Sequence, residues 1–394
     1  MGGLTFRTPG RDGEPPLDTP RMSPEVYIKL REKYLDLLST RFYQLAICPI
    51  ESPEKKSYGD IDILVEGPRY PFEVQDLAGA LEAQRYSHET AGPTTNFAIP
   101  DTEREGEEDV VVYRQLDVHV CRPGTLDWEV FTKSHGDMWN ILGSMGRFYG
   151  VTVNDRGCHL RIPEIEPVDR KHSLLHLTSD PAEALALFGL DVDSYQRGFQ
   201  TVDEMFDYIS STRFFRHGAF ENTEEKRRDR QRMSQRPVFR RWVTEYLPKH
   251  TDMPIRNPEL TRDDILEESL DKFQKRPEYD AKLAEWKAKA AEGNLWKRIA
   301  AAIPLEGDKL NLVIRGLRRK FNGAAVLDGE GDEAAEPGPD LQFRLPGGEL
   351  DEDRLVEWVK ENWEHVKIEE RQRVKKGKAE RKAAREAGGV ASEA

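Results

Sequence analysis

Apolar and polar positions change their spacing several times before residue 120, which predicts helices and strands in alternation. A Ser-Pro pair at 23–24 stands where a helix would begin, and apolar residues then recur at near-helical spacing up to Phe42. Such alternation is typical of a small α/β or α+β domain with a sheet, and we expect α+β. The predicted elements are a helix over 24–42, strands over 43–48 and 61–65, a helix over 72–83, and strands over 97–99 and 110–120.

The chain changes character twice after this sheet domain. From 124 to 214 the pattern predicts further helices, a hairpin over 151–162 and a short strand over 174–177. Past residue 222, long charged helices follow, and the acidic stretch 328–340 is typical of a disordered linker. The predicted regions are a disordered arm (1–22), a sheet domain (23–125), a smaller α/β region (126–222), a helical accessory domain (223–325), an acidic linker (326–350) and a charged helical tail (351–394).

Composition narrows the class of protein. Charged residues make up 33% of the 394 positions, which is above the roughly 25% of average globular proteins and indicates solvated helices or tails. The net charge of −13 argues against a uniformly basic nucleic-acid coat, although local basic patches remain open. The three cysteines lie far apart and no apolar run is long enough for a membrane span. We therefore expect an intracellular protein, cytoplasmic or nuclear, with no membrane partner.

The clearest chemical signal is the segment from Ser57 to Val65, SYGDIDILV. Alternating side chains of a strand would place Asp60 and Asp62 on one face and Ile61 and Ile63 on the other, in the core. Two neighbouring carboxylates repel each other, and a divalent cation with oxygen ligands would resolve that conflict. The alternative is a plain edge strand with an acidic solvent face.

A second acidic strand favours the metal interpretation. The segment YRQLDVHV, residues 113–120, carries Asp117 at its centre with apolar residues on both sides. As a third ligand beside Asp60 and Asp62, Asp117 would complete a site for two Mg²⁺ or Mn²⁺ ions about 3.5–4 Å apart.

These two segments, GDIDILV and RQLDVHV, resemble the catalytic palm of the nucleotidyltransferase superfamily, in particular the polymerase β-like (family X) DNA polymerases. The similarity covers roughly residues 43–215. It implies a mixed sheet flanked by helices, a thumb-like region over 126–222 and a mostly helical C-terminal half. It also implies magnesium-dependent transfer of a nucleoside monophosphate from a nucleoside triphosphate to a hydroxyl acceptor, with Asp60, Asp62 and Asp117 as the catalytic metal ligands.

The resemblance extends to the segment VFTKS, residues 130–134, which is similar to the family's segment beside the sugar of the nucleotide. It implies that Phe131, Thr132 and Ser134 contact the nucleotide. Lys133 stands where the family has glycine, which would crowd a sugar. His119 replaces a family arginine and is either a hydrogen-bond partner of a metal ligand or an ordinary packed or exposed histidine.

The connector before the first acidic strand departs from the family. Pro49 and Ile50 stand where a Gly-Ser pair would hold the triphosphate. This connector is either a phosphate-binding loop or a solvated turn, and the helix-hairpin-helix region of the family is missing, so we do not expect processive template-directed synthesis. The candidate nucleotide-binding residues of the loop are Ser52, Lys55, Lys56, Ser57 and Gly59.

A basic run over 226–241 is a candidate nucleic-acid surface. The alternative is a helix with a core stripe, Val238, Trp242 and Val243, around which the arginines extend to solvent. The candidate contacts are Arg227, Arg228, Arg232, Arg236 and Arg240. Two functions therefore stay open: a nucleotidyltransferase with an unidentified acceptor, or a non-catalytic module of the same fold that binds nucleic acid or a protein partner.

Overall fold

The computed structural model describes residues 3–10, 13–88, 92–101, 112–221, 227–322, 343 and 350–389. The chain divides into two compact units, Met1–Leu283 and Ala284–Ala394. It is a mixed α+β protein with a five-stranded mixed sheet, a three-stranded antiparallel sheet and many helices. The elements up to residue 120 are α1 (Pro24–Leu37), β1 (Tyr43–Ile47), β2 (Asp60–Pro68), α2 (Val74–Ala80), β3 (Arg85–His88), β4 (Thr94–Pro100) and β5 (Tyr113–Val120).

The five-stranded sheet has the strand order β1-β2-β5-β4-β3. Strands β2 and β5 pair in parallel, and the other neighbours are antiparallel. One face is apolar: Ile61, Ile63 and Val65 of β2 are fully buried and share a core with Leu30 of α1 and Leu77 of α2. This confirms the predicted inward direction of the two isoleucines.

Two local features near the sheet differ from the predicted pattern. The expected helix over 24–42 is α1 followed by a π-helical turn, Leu38–Phe42. The edge strand β3 was not predicted from the sequence, because Arg85 to His88 form neither an apolar run nor a strict alternation of apolar and polar residues. It pairs antiparallel with β4. The strand predicted over 110–120 is β5, and residues 102–111 lie outside the described part of the chain.

The N-terminal segment differs from the disordered arm that the sequence predicted. Phe6, Thr19 and Met22 are each 2% exposed or less, and a short 3-10 helix spans Thr5–Arg7. The backbone of Met22 pairs with that of Tyr58 in an isolated antiparallel bridge. Two apolar side chains and this backbone pairing order the segment, although its overall composition is rich in Gly, Pro and Arg.

The smaller region contains the three-stranded sheet in the order β6-β7-β8. The hairpin predicted over 151–162 is formed by β6 and β7, which pair antiparallel. The elements are α3 (Leu126–Lys133), α4 (Met138–Phe148), β6 (Val151–Asn154), β7 (Gly157–Arg161), β8 (Leu174–Thr178), α5 (Pro181–Phe188), α6 (Val192–Arg197) and α7 (Val202–Ser210).

The predicted long helices after residue 222 are interrupted. Pro237 occupies the first turn of a new helix, and a π-helical stretch, Trp242–Tyr246, follows it. Gln274, with φ of 54°, stands between the two helices that replace the predicted one over 262–302. The helices are α8 (Arg227–Gln235), α9 (Pro237–Arg241), α10 (Leu247–Lys249), α11 (Arg262–Lys272), α12 (Arg276–Ala301), α13 (Gly307–Asn322) and α14 (Glu352–Gly389).

The second unit has its own core. Val313 and Leu317 of α13 are fully buried with Leu355 and Val359 of α14. The beginning of the predicted charged tail is therefore part of a packed unit, since apolar residues recur at helical spacing there. The predicted linker 326–350 lies outside the described residues apart from 343 and 350. Among the described residues, no helix has the length and apolar character required to cross a membrane.

Candidate functional site

The three predicted aspartates lie on one face of the five-stranded sheet. The parallel register pairs Asp62 of β2 with Asp117 of β5, and pairs Asp60 with Gln115. Paired residues of neighbouring strands point to the same face, and residues two apart on one strand do so as well. The polar face, as we call it, therefore carries Asp60, Asp62, Asp117 and Gln115 opposite the apolar core.

Hydrogen bonds orient two of these carboxylates. Asn96 of β4, which pairs with Asp117, donates its amide to Asp117 Oδ1 at 2.6 Å. Gln115 Nε2 donates to Asp117 Oδ1 at 2.9 Å and to Oδ2 at 3.1 Å. The backbone N–H of Gly3 donates to Asp60 Oδ2 at 3.2 Å. Asp62 has a larger exposed fraction as a residue than Asp60 or Asp117, although surrounding protein groups desolvate its carboxyl.

The electrostatics of the polar face favour protonation or cation binding. Desolvation, followed by the negative charges of Asp60 and Asp117, raises the pKa of Asp62 to about 7. Desolvation likewise raises the pKa of Asp117 to about 6, against the opposing hydrogen bonds from Asn96 and Gln115. Both carboxyls are therefore close to titration at neutral pH, as expected of acids that repel one another.

The donor set is suitable for hard divalent cations, because all three side chains offer carboxylate oxygens. The ligand atoms of the three aspartates do not all lie within 4.8 Å of one another. Within the described part of the chain, a single group of three ligand-type side chains has all its ligand atoms within 4.8 Å of one another, and it is His119, Cys121 and Glu129 rather than the aspartates. Shared coordination of ions by the aspartates therefore requires side-chain rotation on the polar face.

An open cleft of about 920 Å³ adjoins the polar face. Asp60 and Asp62 lie in its wall together with Leu4 of the N-terminal segment. Positively charged side chains line the same cleft: Arg21, Lys55, Arg236 and Arg241. Carboxylates and cations thus face a common space that can hold a ligand carrying both metal ions and phosphate groups.

The cations of the cleft have partners among protein groups. Arg236 pairs with Asp137 at 2.9 Å, and Lys55 pairs with Glu51 at 2.6 Å. Arg241 contacts Glu54 and Asp203 at 3.1 and 2.8 Å, and Arg21 donates to the hydroxyl and carbonyl of Ser57. Protein carboxylates therefore partly neutralise the positive charge of the cleft.

The predicted phosphate loop is only partly directed at the cleft. Lys55 and Ser52 line it, and Ser52 Oγ is buried with no hydrogen-bond partner among the described residues. Lys56 is exposed and lies outside the cleft lining that surrounds Lys55. The hydroxyl of Ser57 accepts from Arg21, and Gly59 lies against Gly3.

The three residues predicted to lie beside a sugar have structural partners instead. Phe131 is 4% exposed and packs against the rings of Trp128 and Trp139. Thr132 donates its hydroxyl to the carbonyl of Glu129 within the same helix. Ser134 Oγ accepts from the backbone N–H of Ile50 and donates to the carbonyl of Val130, so it joins the loop before β2 to α3.

His119 lies on the same strand face as Asp117 but contacts other residues. Its Nδ1 is 2.8 Å from Thr94 Oγ1, and its Nε2 is 2.7 Å from Glu129 Oε2. Both ring nitrogens therefore have partners other than Asp117, so of the two interpretations the contacts favour an ordinary packed histidine.

Lys133, at the C-terminal end of α3, places a positive charge that acts on Glu129 and on the aspartates of the polar face. Desolvation lowers the pKa of its ammonium, while Glu129 and Asp62 raise it. Its charge in turn lowers the pKa of Asp62 and of Asp117.

The basic run over 226–241 is largely used for packing. Phe239 and Trp242 are fully buried, while Arg232 pairs with Asp229 and lies over the ring of Phe239. Arg236 lines the cleft, and Arg227 and Arg240 are exposed. The side chain of Arg228 lies outside the described part. Of the alternative core stripe, Trp242 is buried, whereas Val238 and Val243 are only half-buried and Phe239 is in the core instead.

Sequence reasoning missed Gln115, Asn96, Arg21 and Arg241. Gln115 stands two residues before Asp117, so strand alternation alone could have placed it on the polar face. Asn96 and the two arginines reach the site through strand pairing and tertiary contacts, which no local pattern records.

Comparison with known proteins leaves the family open: no family model matches the chain, and no curated protein matches it.

Proposed function

We propose that this protein is a Mg²⁺- or Mn²⁺-dependent nucleotidyltransferase with a polymerase β-like palm. It would transfer a nucleoside monophosphate from a nucleoside triphosphate to a hydroxyl acceptor and release pyrophosphate. The observation that carries the proposal is the parallel pairing of β2 with β5, which sets Asp62 beside Asp117 with Asp60 on the same face.

The three aspartates would hold the two ions, which supply charge neutralisation at the transferring phosphoryl group and activation of the acceptor hydroxyl. The raised pKa values of Asp62 and Asp117 support this role, because desolvation and the repulsion between carboxylates disfavour the ionised forms, and a bound cation would offset both. Asn96 and Gln115 orient Asp117 and leave Asp62 free to turn.

The cations of the cleft would bind the phosphate groups of the nucleotide. Lys55 and Arg236 lie in the same wall as Asp60 and Asp62, and Ser52 offers a hydroxyl without a protein partner. An arginine offers two parallel donors to a phosphate, and a lysine acts as a point charge. These residues take the place of the missing Gly-Ser pair.

The chemical step is an in-line displacement. The acceptor oxygen forms a bond to the α-phosphorus, the bond from that phosphorus to the bridging oxygen of the β-phosphate breaks, and pyrophosphate leaves with the electron pair. Asp117 would hold the ion that activates the acceptor hydroxyl and would take the proton of that hydroxyl, which then passes to water.

A transfer assay tests this proposal. Each nucleotide, labelled on its α-phosphate, is incubated with the protein, Mg²⁺ or Mn²⁺, and a mixed pool of nucleic-acid, protein and small-molecule acceptors. We expect label in an acceptor together with pyrophosphate, and loss of both in Asp62→Asn and Asp117→Asn. Asp36→Asn is the matched control, because Asp36 is an exposed carboxylate on α1, on the other side of the sheet.

One observation favours the alternative, a non-catalytic module of the same fold. The N–H of Gly3 donates a hydrogen bond to Asp60 Oδ2, and Leu4 lines the cleft. A module would bind nucleotide or a partner in the cleft without releasing pyrophosphate. Nucleotide binding in the absence of any transfer, with folding of the protein verified by circular dichroism, would favour that alternative.

A further inference from the structure

A second group of ligand-type side chains lies between β5 and α3. His119 Nε2, Cys121 Sγ and a carboxylate oxygen of Glu129 all lie within 4.8 Å of one another. His119 and Cys121 come from the end of β5 and the residue after it, and Glu129 comes from the first turn of α3. Two elements therefore deliver three different ligand types to one point.

We propose that His119, Cys121 and Glu129 form a binding site for a single Zn²⁺-like transition-metal ion, separate from the three aspartates. This site does not rest on the proposed nucleotidyltransferase activity. Nitrogen, sulfur and oxygen donors in one group are the set that zinc accepts, with water as the fourth ligand.

The ligands are already oriented by neighbouring hydroxyls. Thr94 Oγ1 lies 2.8 Å from the Nδ1 of His119, and Thr125 Oγ1 donates to Glu129 Oε1 at 2.8 Å. These contacts use the ligand atoms that point away from the shared centre. They leave His119 Nε2 and Glu129 Oε2 turned toward each other, as occurs where outer hydrogen bonds fix metal-binding side chains.

The donor types separate this group from the polar face. Cys and His bind zinc and its neighbours in the transition series, whereas oxygen-only sets suit Mg²⁺. Cys121 is 4% exposed, and the side chain of His119 is 15% exposed, so an ion can enter from the histidine side.

Small movements would complete the site. Ligand atoms of tetrahedral zinc lie about 3.3–3.7 Å apart, given bonds of roughly 2.0–2.3 Å. The 2.7 Å contact between His119 Nε2 and Glu129 Oε2 must open slightly, and a separation at the 4.8 Å limit would have to close by about 1 Å.

Binding of the ion requires a change in the protonation of His119 and Cys121. The imidazole proton moves to Nδ1 and is donated to Thr94, and the thiol of Cys121 releases one proton to solvent. The positive charge of Lys133 also acts on Glu129.

Titration of the metal-free full chain with Co²⁺ tests the proposal, because cobalt replaces zinc and its bond to a thiolate gives a charge-transfer absorption band. We expect the band to saturate at one equivalent and to be abolished by excess Zn²⁺. Cys121→Ser should remove the band, and His119→Gln should weaken cobalt binding at least tenfold. Each variant is checked for folding by circular dichroism.

Two controls separate this site from other groups. Cys48→Ser and Asp62→Asn should keep the band, since neither residue belongs to the group of three. Absence of a thiolate band in the unmodified protein, or a band that survives Cys121→Ser, would overturn the proposal. If Cys121→Ser does not fold, Glu129→Gln replaces it. Unchanged cobalt affinity in that variant would also overturn the proposal.

Discussion

The two faces of the five-stranded sheet are built from the same strands and have opposite energetics. On one face, Ile61 and Ile63 are fully buried in a continuous apolar core with α1 and α2. On the other, Asp60, Asp62 and Asp117 stand side by side and repel one another. The apolar face lowers the free energy of the folded chain, whereas the polar face raises it unless a proton or a cation is bound.

This difference indicates where function lies. Residues that stabilise a fold need no further explanation, but adjacent carboxylates with raised pKa values do. A binding site that costs stability when empty should gain stability from its ligand.

The largest effect is expected for Ile63→Ala. Loss of a fully buried side chain should lower the free energy of unfolding by about 2–5 kcal/mol. Asp62→Asn, at the adjacent position of the same strand, should not destabilise the metal-free protein and should stabilise it above pH 7. Urea denaturation of both variants measures the difference. Equal losses of stability in the two would contradict the contrast between the faces.

Metal and pH should act together on the polar face. The pKa of Asp62 is raised from 3.8 to about 7 and that of Asp117 to about 6. The folded state therefore holds protons that the unfolded state releases, so their contribution to stability is full below pH 3.8 and is lost as pH rises through 6 and 7. Asp60, Glu51 and Lys133 also act on these groups.

We accordingly expect the metal-free melting temperature to fall between pH 5 and pH 8, and Mn²⁺ to restore it. At a metal concentration 100 times its dissociation constant the gain is about 2.7 kcal/mol. The gain should be larger at pH 8 than at pH 5 and should vanish in Asp62→Asn. A melting temperature insensitive to millimolar Mn²⁺ at pH 8 would count against a cation site.

The loop before β2 offers a matched pair of lysines. Lys55 lines the cleft, and Lys56 is exposed outside it. Lys55→Ala should weaken the binding of a nucleoside triphosphate about tenfold, roughly 1.4 kcal/mol, whereas Lys56→Ala should leave it within twofold. Stabilisation by the metal ion should be unchanged in both variants, because neither lysine provides a ligand to the ion. Equal effects of the two substitutions would assign phosphate binding to other residues.

The smallest effect concerns the N-terminal segment. Gly3 has φ of 81°, and a Cβ there would lie 2.0 Å from the carbonyl oxygen of Gly59. Gly3→Ala should displace the segment from Asp60, at a cost of about 1 kcal/mol, and speed hydrogen exchange at the N–H of Thr5, which donates to Gln115. Gly13→Ala is the control, because Gly13 also has a positive φ, of 75°, but its Cβ would meet no atom within 4 Å. Unchanged exchange at Thr5 in Gly3→Ala would contradict this close contact.

The apolar face could be predicted from the sequence because strand alternation is local. The pattern GDIDILV was enough to direct Ile61 and Ile63 inward and both aspartates outward. The pairing of Asp62 with Asp117 joins positions far apart in the chain, and it was expected from the single acid at the centre of a second apolar strand together with the resemblance to a family.

The remaining parts of the site escaped prediction for physical reasons. The N-terminal segment is ordered by a few anchors, Phe6 and Met22, within a composition typical of disorder. Phe131 matched a sugar-contacting motif, but burial among tryptophans decides its role. The cleft arginines depend on how α8 and α9 pack, which the charged pattern of that segment does not encode.

We propose above all that the polar face and its cleft bind a nucleoside triphosphate together with divalent cations. Titration calorimetry of a triphosphate analogue that cannot be cleaved between the α- and β-phosphates, with and without Mg²⁺, measures this directly. We predict one analogue bound per chain in the presence of Mg²⁺, at least tenfold weaker binding without it, and loss of the metal dependence in Asp62→Asn. No binding to the unmodified protein at several millimolar analogue and saturating Mg²⁺ would contradict the claim.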